Sequence, residues 1–116
     1  MLVLCDFDGT ITSHDVTNLL WDRYGLPEWR DRLLPPYRAG LKTTLDLMDA
    51  GWRVIARPAQ ELLAVAREQT GLRPGFVELV ERARVRNWQL HVVSCGLDWY
   101  LRGFLPDGVP FTSYAA

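Results

Sequence analysis

The first ten residues constrain the fold of this chain more than any other stretch. The apolar run Leu2-Val3-Leu4-Cys5 stops at Asp6-Phe7-Asp8, and a Gly9-Thr10 turn follows. A short apolar run closed by a turn signal predicts a buried strand. Residues two apart on a strand point to the same side. Asp6 and Asp8 can then face one substrate together, with Phe7 turned the other way into packing. Two carboxylates so placed, without a cation, repel each other and raise a pKa. A hard divalent ion relieves that repulsion, and Mg2+ prefers oxygen ligands.

A second strand is expected at 89–94, where Leu90, Val92 and Val93 lead into Ser94-Cys95-Gly96. Between the two strands the pattern is helical. Ser13 is suited to cap a helix carrying Val16, Leu19, Leu20 and Tyr24, which Gly25 ends. Pro27 restarts a short helix through Trp29 and Leu33, and Pro35-Pro36 is expected to break it. Leu41, Leu45, Met48 and Trp52 mark a further helical face. Pro58 opens a helix with Leu62, Leu63 and Ala66, closed by Gly71. Pro74 opens the next, with Phe76, Leu79, Val80 and Ala83 at i, i+3, i+4 and i+7. After the second strand, 97–105 reads as a helix, Pro106-Asp107-Gly108 as a turn, and 109–114 as the start of a third strand. Strands separated by helices call for a parallel sheet with right-handed crossovers, an α/β fold.

The chain has 116 residues, enough for one modest core. Its 48% hydrophobic and 23% charged content is that of an ordinary globular domain. A net charge of -1, with the arginines scattered, provides no basic field for nucleic acid or an anionic membrane. The five tryptophans read as packing rather than a platform for bases. No apolar stretch is long enough to span a bilayer. The run before Asp6 is too short for a signal peptide, so the cytoplasm is the expected compartment. Cys5 and Cys95 read as small buried apolar residues near strand ends, not as a disulfide framework. His14 and His91 lack ligand spacing and read as structural.

Asp6-Phe7-Asp8-Gly9-Thr10 resembles the first motif of the haloacid dehalogenase (HAD) superfamily. Val92-Val93-Ser94-Cys95-Gly96 resembles its second motif, a strand ending in Ser or Thr. The resemblance implies a HAD-like Rossmannoid parallel sheet with a helical cap insert, the core at 1–12 and 73–116 and the cap at 13–72. It also implies Mg2+-dependent phosphatase chemistry. Asp6 would be the nucleophile that forms an aspartyl-phosphate, and Asp8 the general acid and then base. Asp6 and Asp8 would hold the metal, Asp8 through its backbone carbonyl. Asp8 separates this motif from that of the dehalogenases, which lack the second Asp. Thr10 would position the loop, while Ser94, Cys95 and Gly96 would bind phosphate. Asp15 lies where relatives place an acidic substrate contact. Taken as residues alone, Thr10 also suits the turn, Ser94 a helix N-cap, and Asp15 the first turn of a helix.

Pro74-Gly75-Phe76 and the run Val92 through Tyr100 are similar to the phosphoserine-phosphatase-like branch, and within it to the methionine-salvage phosphatases. A small phosphorylated metabolite is the implied substrate, with no nucleic acid and no membrane partner. The resemblance further implies a basic residue and then an acidic pair after Ser94. There, Arg102 reads as a solvated helix residue and Asp107 as part of its turn, while Lys42 lies upstream. The sequence thus resembles the front half of a HAD enzyme. An incomplete sheet with an open strand edge is expected, along with weak Mg2+ binding and completion by a second copy or a complementing C-terminal chain. The alternative is a non-catalytic HAD-derived module that binds a ligand or partner.

Overall fold

A computed structural model describes residues 1–113. Its sheet has three parallel strands, β1 (Leu2–Cys5), β2 (Gln89–Val93) and β3 (Phe111–Thr112), in the order β1-β2-β3. Leu2 pairs with Gln89 and Cys5 with Val92, and Val92 then pairs with Phe111. The fold is α/β, as the alternation of strands and helices requires. The third strand is shorter than the expected 109–114, and Tyr114 lies outside the described residues.

Among the described residues, six helices connect the strands. They are α1 (Val16–Tyr24), α2 (Trp29–Arg38), α3 (Thr44–Arg53), α4 (Ala59–Gln69), α5 (Phe76–Val85) and α6 (Asp98–Phe104). Helix α1 starts later than expected, because Asp15 rather than Ser13 caps it by accepting from the Asn18 N–H. Pro35 and Pro36 do not break α2 but lie inside it. Each proline removes a bond to the carbonyl four residues back, at Asp31 and Arg32. Both of those residues are exposed, so water can satisfy the freed carbonyls. Helix α3 begins at a capping box, in which Thr43 and Asp46 each accept from the other's backbone N–H. Leu41 falls outside that helix and is exposed.

One face of the sheet is packed and the other is bare. Phe7, Val92, Tyr100 and Leu101 are fully buried, and Val16 and Leu20 of α1 join the same cluster. A second cluster, Trp21, Trp29 and Leu47, ties α1 to α2 and α3. Gly51 of α3 allows this close approach, since a Cβ there would overlap the Trp21 ring. On the opposite face of the sheet, Leu2 is 59% and Leu4 64% exposed. The expectation of a fully buried first strand is therefore corrected: β1 is an edge strand, and helices cover only one of its faces. Parallel sheets ordinarily have both faces covered.

The chain leaves the β1 loop and returns to α5 at one point. Thr12 and Leu72 form an isolated antiparallel bridge, flanked by Ser13 N–H to Gly71 C=O at 3.0 Å and Arg73 N–H to Ile11 C=O at 2.7 Å. Among the described residues, no helix is long and apolar enough to cross a membrane.

Candidate active site

Parallel strands end at the same edge of a sheet, and the loops after β1 and β2 therefore meet. A cleft of about 190 Å³ lies there, lined by Asp6, Asp8, Ser94 and Cys95 from the strand ends. Asp15, Thr17 and Asn18 from the start of α1, and Met48 from α3, close it from the other side. A larger cavity of about 550 Å³ sits at the opposite ends of the strands, between Leu2, Trp88, Leu90 and Pro110, away from the paired carboxylates.

The β1 loop turns sharply just after Asp8. The amides of Thr10, Ile11 and Thr12 all point at the Phe7 carbonyl, at 3.1, 2.9 and 3.2 Å. Gly9 takes φ +74, the left-handed region where glycine is at ease. Thr12, fully buried, accepts from the Gly9 N–H and donates to the His14 carbonyl at 2.6 Å. Phe7 turns into the core as the strand alternation predicts.

The two aspartates end up in different surroundings. Asp6 is exposed, and its Oδ2 accepts from the Thr10 hydroxyl at 3.1 Å. Its Oδ1 has no partner among the described residues. Asp8 is half-buried and held on both oxygens. Its Oδ1 accepts from the Val16 N–H at 2.8 Å and its Oδ2 from the Tyr100 hydroxyl at 2.9 Å. Burial, then the nearby Asp15 carboxylate, push the Asp8 pKa up to about 6, against the pull of the Tyr100 and Val16 hydrogen bonds. Asp15 is also raised, chiefly by burial, with Asp6 adding to it. Burial and the Asp8 carboxylate raise Tyr100, which keeps its proton and donates it.

The second loop behaves differently from a helix cap. The N-cap position of α6 is Leu97, so Ser94 does not cap it. Ser94 Oγ instead accepts from the Gly96 N–H at 2.8 Å, which leaves its own hydroxyl proton to donate into the cleft. Gly96 carries no side chain because a Cβ there would overlap the Tyr100 hydroxyl. Cys95 is exposed, not buried as expected, because it sits past the strand end on the loop that borders the cleft. Cys5 is partly buried beside Asp6, and burial raises its thiol pKa.

Of the residues singled out in the sequence, Asp6, Asp8, Asp15, Ser94 and Cys95 line one cleft. Thr10 and Gly96 stand behind them through their bonds to Asp6 and Ser94. Arg102 lies 3.6 Å from Asp98 on the solvated side of α6, and His14 and His91 bond to Thr70 and Thr112. Thr17, Asn18, Met48 and Tyr100 were not anticipated, because they come from elements that only the fold brings to the strand ends. The cleft's donors are hard oxygens, the type Mg2+ prefers. No group of three or more potential metal-ligating side chains is gathered tightly among the described residues. The donor set therefore fits Mg2+ in kind and is partial in number.

The fold resembles that of a solved structure titled a phospho-aspartyl intermediate analogue of phosphoserine phosphatase. The TM-score is 0.68 at 18% identity, over 98% of this chain and 55% of that one. In sequence, the chain is 32% identical over 113 residues to a 2-hydroxy-3-keto-5-methylthiopentenyl-1-phosphate phosphatase of an Exiguobacterium species, covering 92% of this chain and 50% of that protein. It is 29% identical over 107 residues to the protein of the same name from Geobacillus kaustophilus, covering 87% of this chain and 46% of the relative. The chain thus spans about half the length of the curated relatives it matches. The family model for haloacid dehalogenase-like hydrolases matches residues 3–112, nearly the whole of the described chain, and the protein belongs to that family.

Proposed function

We propose that this chain carries the nucleophile half of a phosphatase that hydrolyses a small phosphorylated metabolite. The observation that carries it is the divided pair: Asp6 exposed with a free oxygen, and Asp8 two residues on, sheltered with a pKa of about 6. Two carboxylates in such different surroundings are suited to separate roles. Asp6 attacks phosphorus, the phosphorus–oxygen ester bond breaks, and the leaving alcohol takes its proton from Asp8. Asp8, now ionised, takes a proton from water as the water attacks the aspartyl-phosphate and frees Asp6. Ser94 donates its hydroxyl proton to a phosphoryl oxygen, and Thr10 holds Asp6 on line. Mg2+, held by Asp6 and the Asp8 carbonyl, would shield the carboxylate from the incoming phosphate.

Residues 13–72 form the cap, and the Thr12–Leu72 bridge supports that boundary. The cap side offers Thr17, Asn18 and Met48, and among the described residues no Lys or Arg lines the cleft. A substrate carboxylate would meet Asp15, and the nearby Arg30, which offsets part of that charge, is itself ion-paired with Asp22 outside the cleft lining. This favours a phosphate ester with a neutral tail, as in the methylthiopentenyl phosphate of the curated relatives, over phosphoserine. The same lack of a cation favours a second reading. A phosphoryl group needs positive charge, so a basic side chain and further acids would come from another segment, a second copy or a complementing chain. A strand from it would add at the β1 edge, and its helices would cover the bare sheet face. We place the protein in the cytoplasm.

The test is Mg2+-dependent hydrolysis of p-nitrophenyl phosphate by the purified protein, with Asp6→Asn as control. Turnover lost in the variant supports catalysis by this chain. A folded wild-type protein without turnover supports the second reading.

A further inference from the structure

One phenol hydroxyl sits where three segments of the site meet. Tyr100 of α6 is fully buried, and its Oη donates to Asp8 Oδ2 at 2.9 Å. The same oxygen lies 2.8 Å from Thr17 Oγ1 of α1. Gly96, on the Ser94 loop, leaves the space that this hydroxyl occupies. The proton count fixes the direction of the chain. Tyr100 has one hydroxyl proton and gives it to the carboxylate, so Thr17 is the donor to Tyr100. Asp8 is thereby held twice by α1, directly through the Val16 N–H and indirectly through Thr17 and Tyr100.

The ring is fully buried and enclosed by other aromatics. Trp99 meets it edge-on with centroids 5.3 Å apart, and Phe7 and Trp52 lie 5.9 and 6.4 Å away. A phenylalanine would fill the same space without requiring two buried hydroxyls to be paired, and such pairing is needed only because the hydroxyls are there. Packing therefore explains the ring and leaves the hydroxyl unexplained.

On the phosphatase reading, we propose that Tyr100 is a positioning residue for Asp8, backed by Thr17, and that it ties the orientation of the acid/base to the seating of α1 over the strand ends. Val16 and Thr17 are adjacent on α1, so displacement of that helix releases both oxygens of Asp8 together. Asp8 is then in its working orientation only while α1 is seated.

Tyr100→Phe and Thr17→Val test this in the purified protein, with matched melting temperatures confirming that both variants fold. The first readout is NMR without added metal. The wild type is expected to show a protected Tyr100 hydroxyl proton, and Tyr100→Phe to shift the Val16 amide and Asp8 carboxyl resonances, Thr17→Val less so. Unmoved Val16 and Asp8 resonances in Tyr100→Phe overturn the proposal. The second readout compares p-nitrophenyl phosphate with an alkyl phosphate, since only the alkoxide needs the proton of Asp8. Tyr100→Phe should lower kcat on the alkyl ester about 10-fold more than on the nitrophenyl ester, with KM nearly unchanged. An equal loss on both esters, or none, also overturns it. A wild type that turns over neither ester while the resonances shift as expected sinks the phosphatase reading alone and supports the hold on Asp8.

Discussion

Helix α1 has two sides, and they face different neighbours. Val16 and Leu20 pack with Phe7 and Tyr100 beneath the site, whereas Trp21 packs with Trp29 and Leu47, a cluster that meets the cleft through Met48. Both clusters are rich in aromatics, and the difference lies in the polar atoms. In the first, the buried Thr12, Thr17 and Tyr100 hydroxyls all bond to groups that shape the site. In the second, the Trp21 indole N–H is buried without a partner among the described residues, and so is that of Trp52, which touches both clusters. An unpaired buried donor costs stability, which packing must offset. The first cluster thus holds directions at the site, whereas the polar contact of the second, the Trp29 indole N–H donating to Asp22 at 2.8 Å, lies outside the cleft lining.

The largest effects should come from truncating each cluster. Phe7→Ala and Trp29→Ala should each cost about 3–5 kcal/mol in chemical denaturation. Phe7→Ala should also impair phosphate chemistry in the molecules that remain folded, since Phe7 separates Asp6 from Asp8. Trp29→Ala should leave the activity per folded molecule intact. Equal functional loss in both would erase the distinction between the clusters.

Asp8→Asn comes next, and its sign depends on pH. The folded pKa of about 6 lies above the ordinary value of 3.8. Asp8 therefore adds stability while protonated, fully so below pH 4, and loses that contribution as pH rises through 6. Asparagine can keep both contacts, accepting from Val16 and donating to the Tyr100 oxygen. In chelator at pH 8 it should stabilise the protein by up to about 3 kcal/mol, with no gain near pH 3. A uniform gain at all pH values would mean that ionisation is not the cause. The smallest effect is expected on the bare face. Leu4→Thr should change stability by less than about 0.5 kcal/mol, as an exposed position does. A larger loss would show that this face is covered in solution.

Much of the site could be read in the sequence because its strongest signals are local. Asp6, Asp8, Gly9 and Thr10 lie within one strand-to-turn run, and Ser94 directly follows an apolar strand. Helices α5 and α6 follow from spacing and punctuation in the same way. Pro35 and Pro36 misled because a proline signals a lost hydrogen bond, not whether water can replace it. Leu2 and Leu4 read as buried because an apolar run does not say how many layers cover it. Tyr100 was out of reach for a different reason. Its partner Asp8 is 92 residues away, and only the parallel pairing of β1 with β2 brings them together.

Asp6 is the proposed nucleophile, and one measurement tests that most directly. The protein is incubated with Mg2+ and a phosphorylated substrate, quenched, reduced with borohydride and mapped by mass spectrometry. Reduction of an aspartyl-phosphate converts the residue to homoserine. The account predicts homoserine at position 6, absent in Asp6→Asn and unchanged at Asp8 and Asp15. Turnover of the substrate with no modification at Asp6, or with the label on another carboxylate, would contradict it.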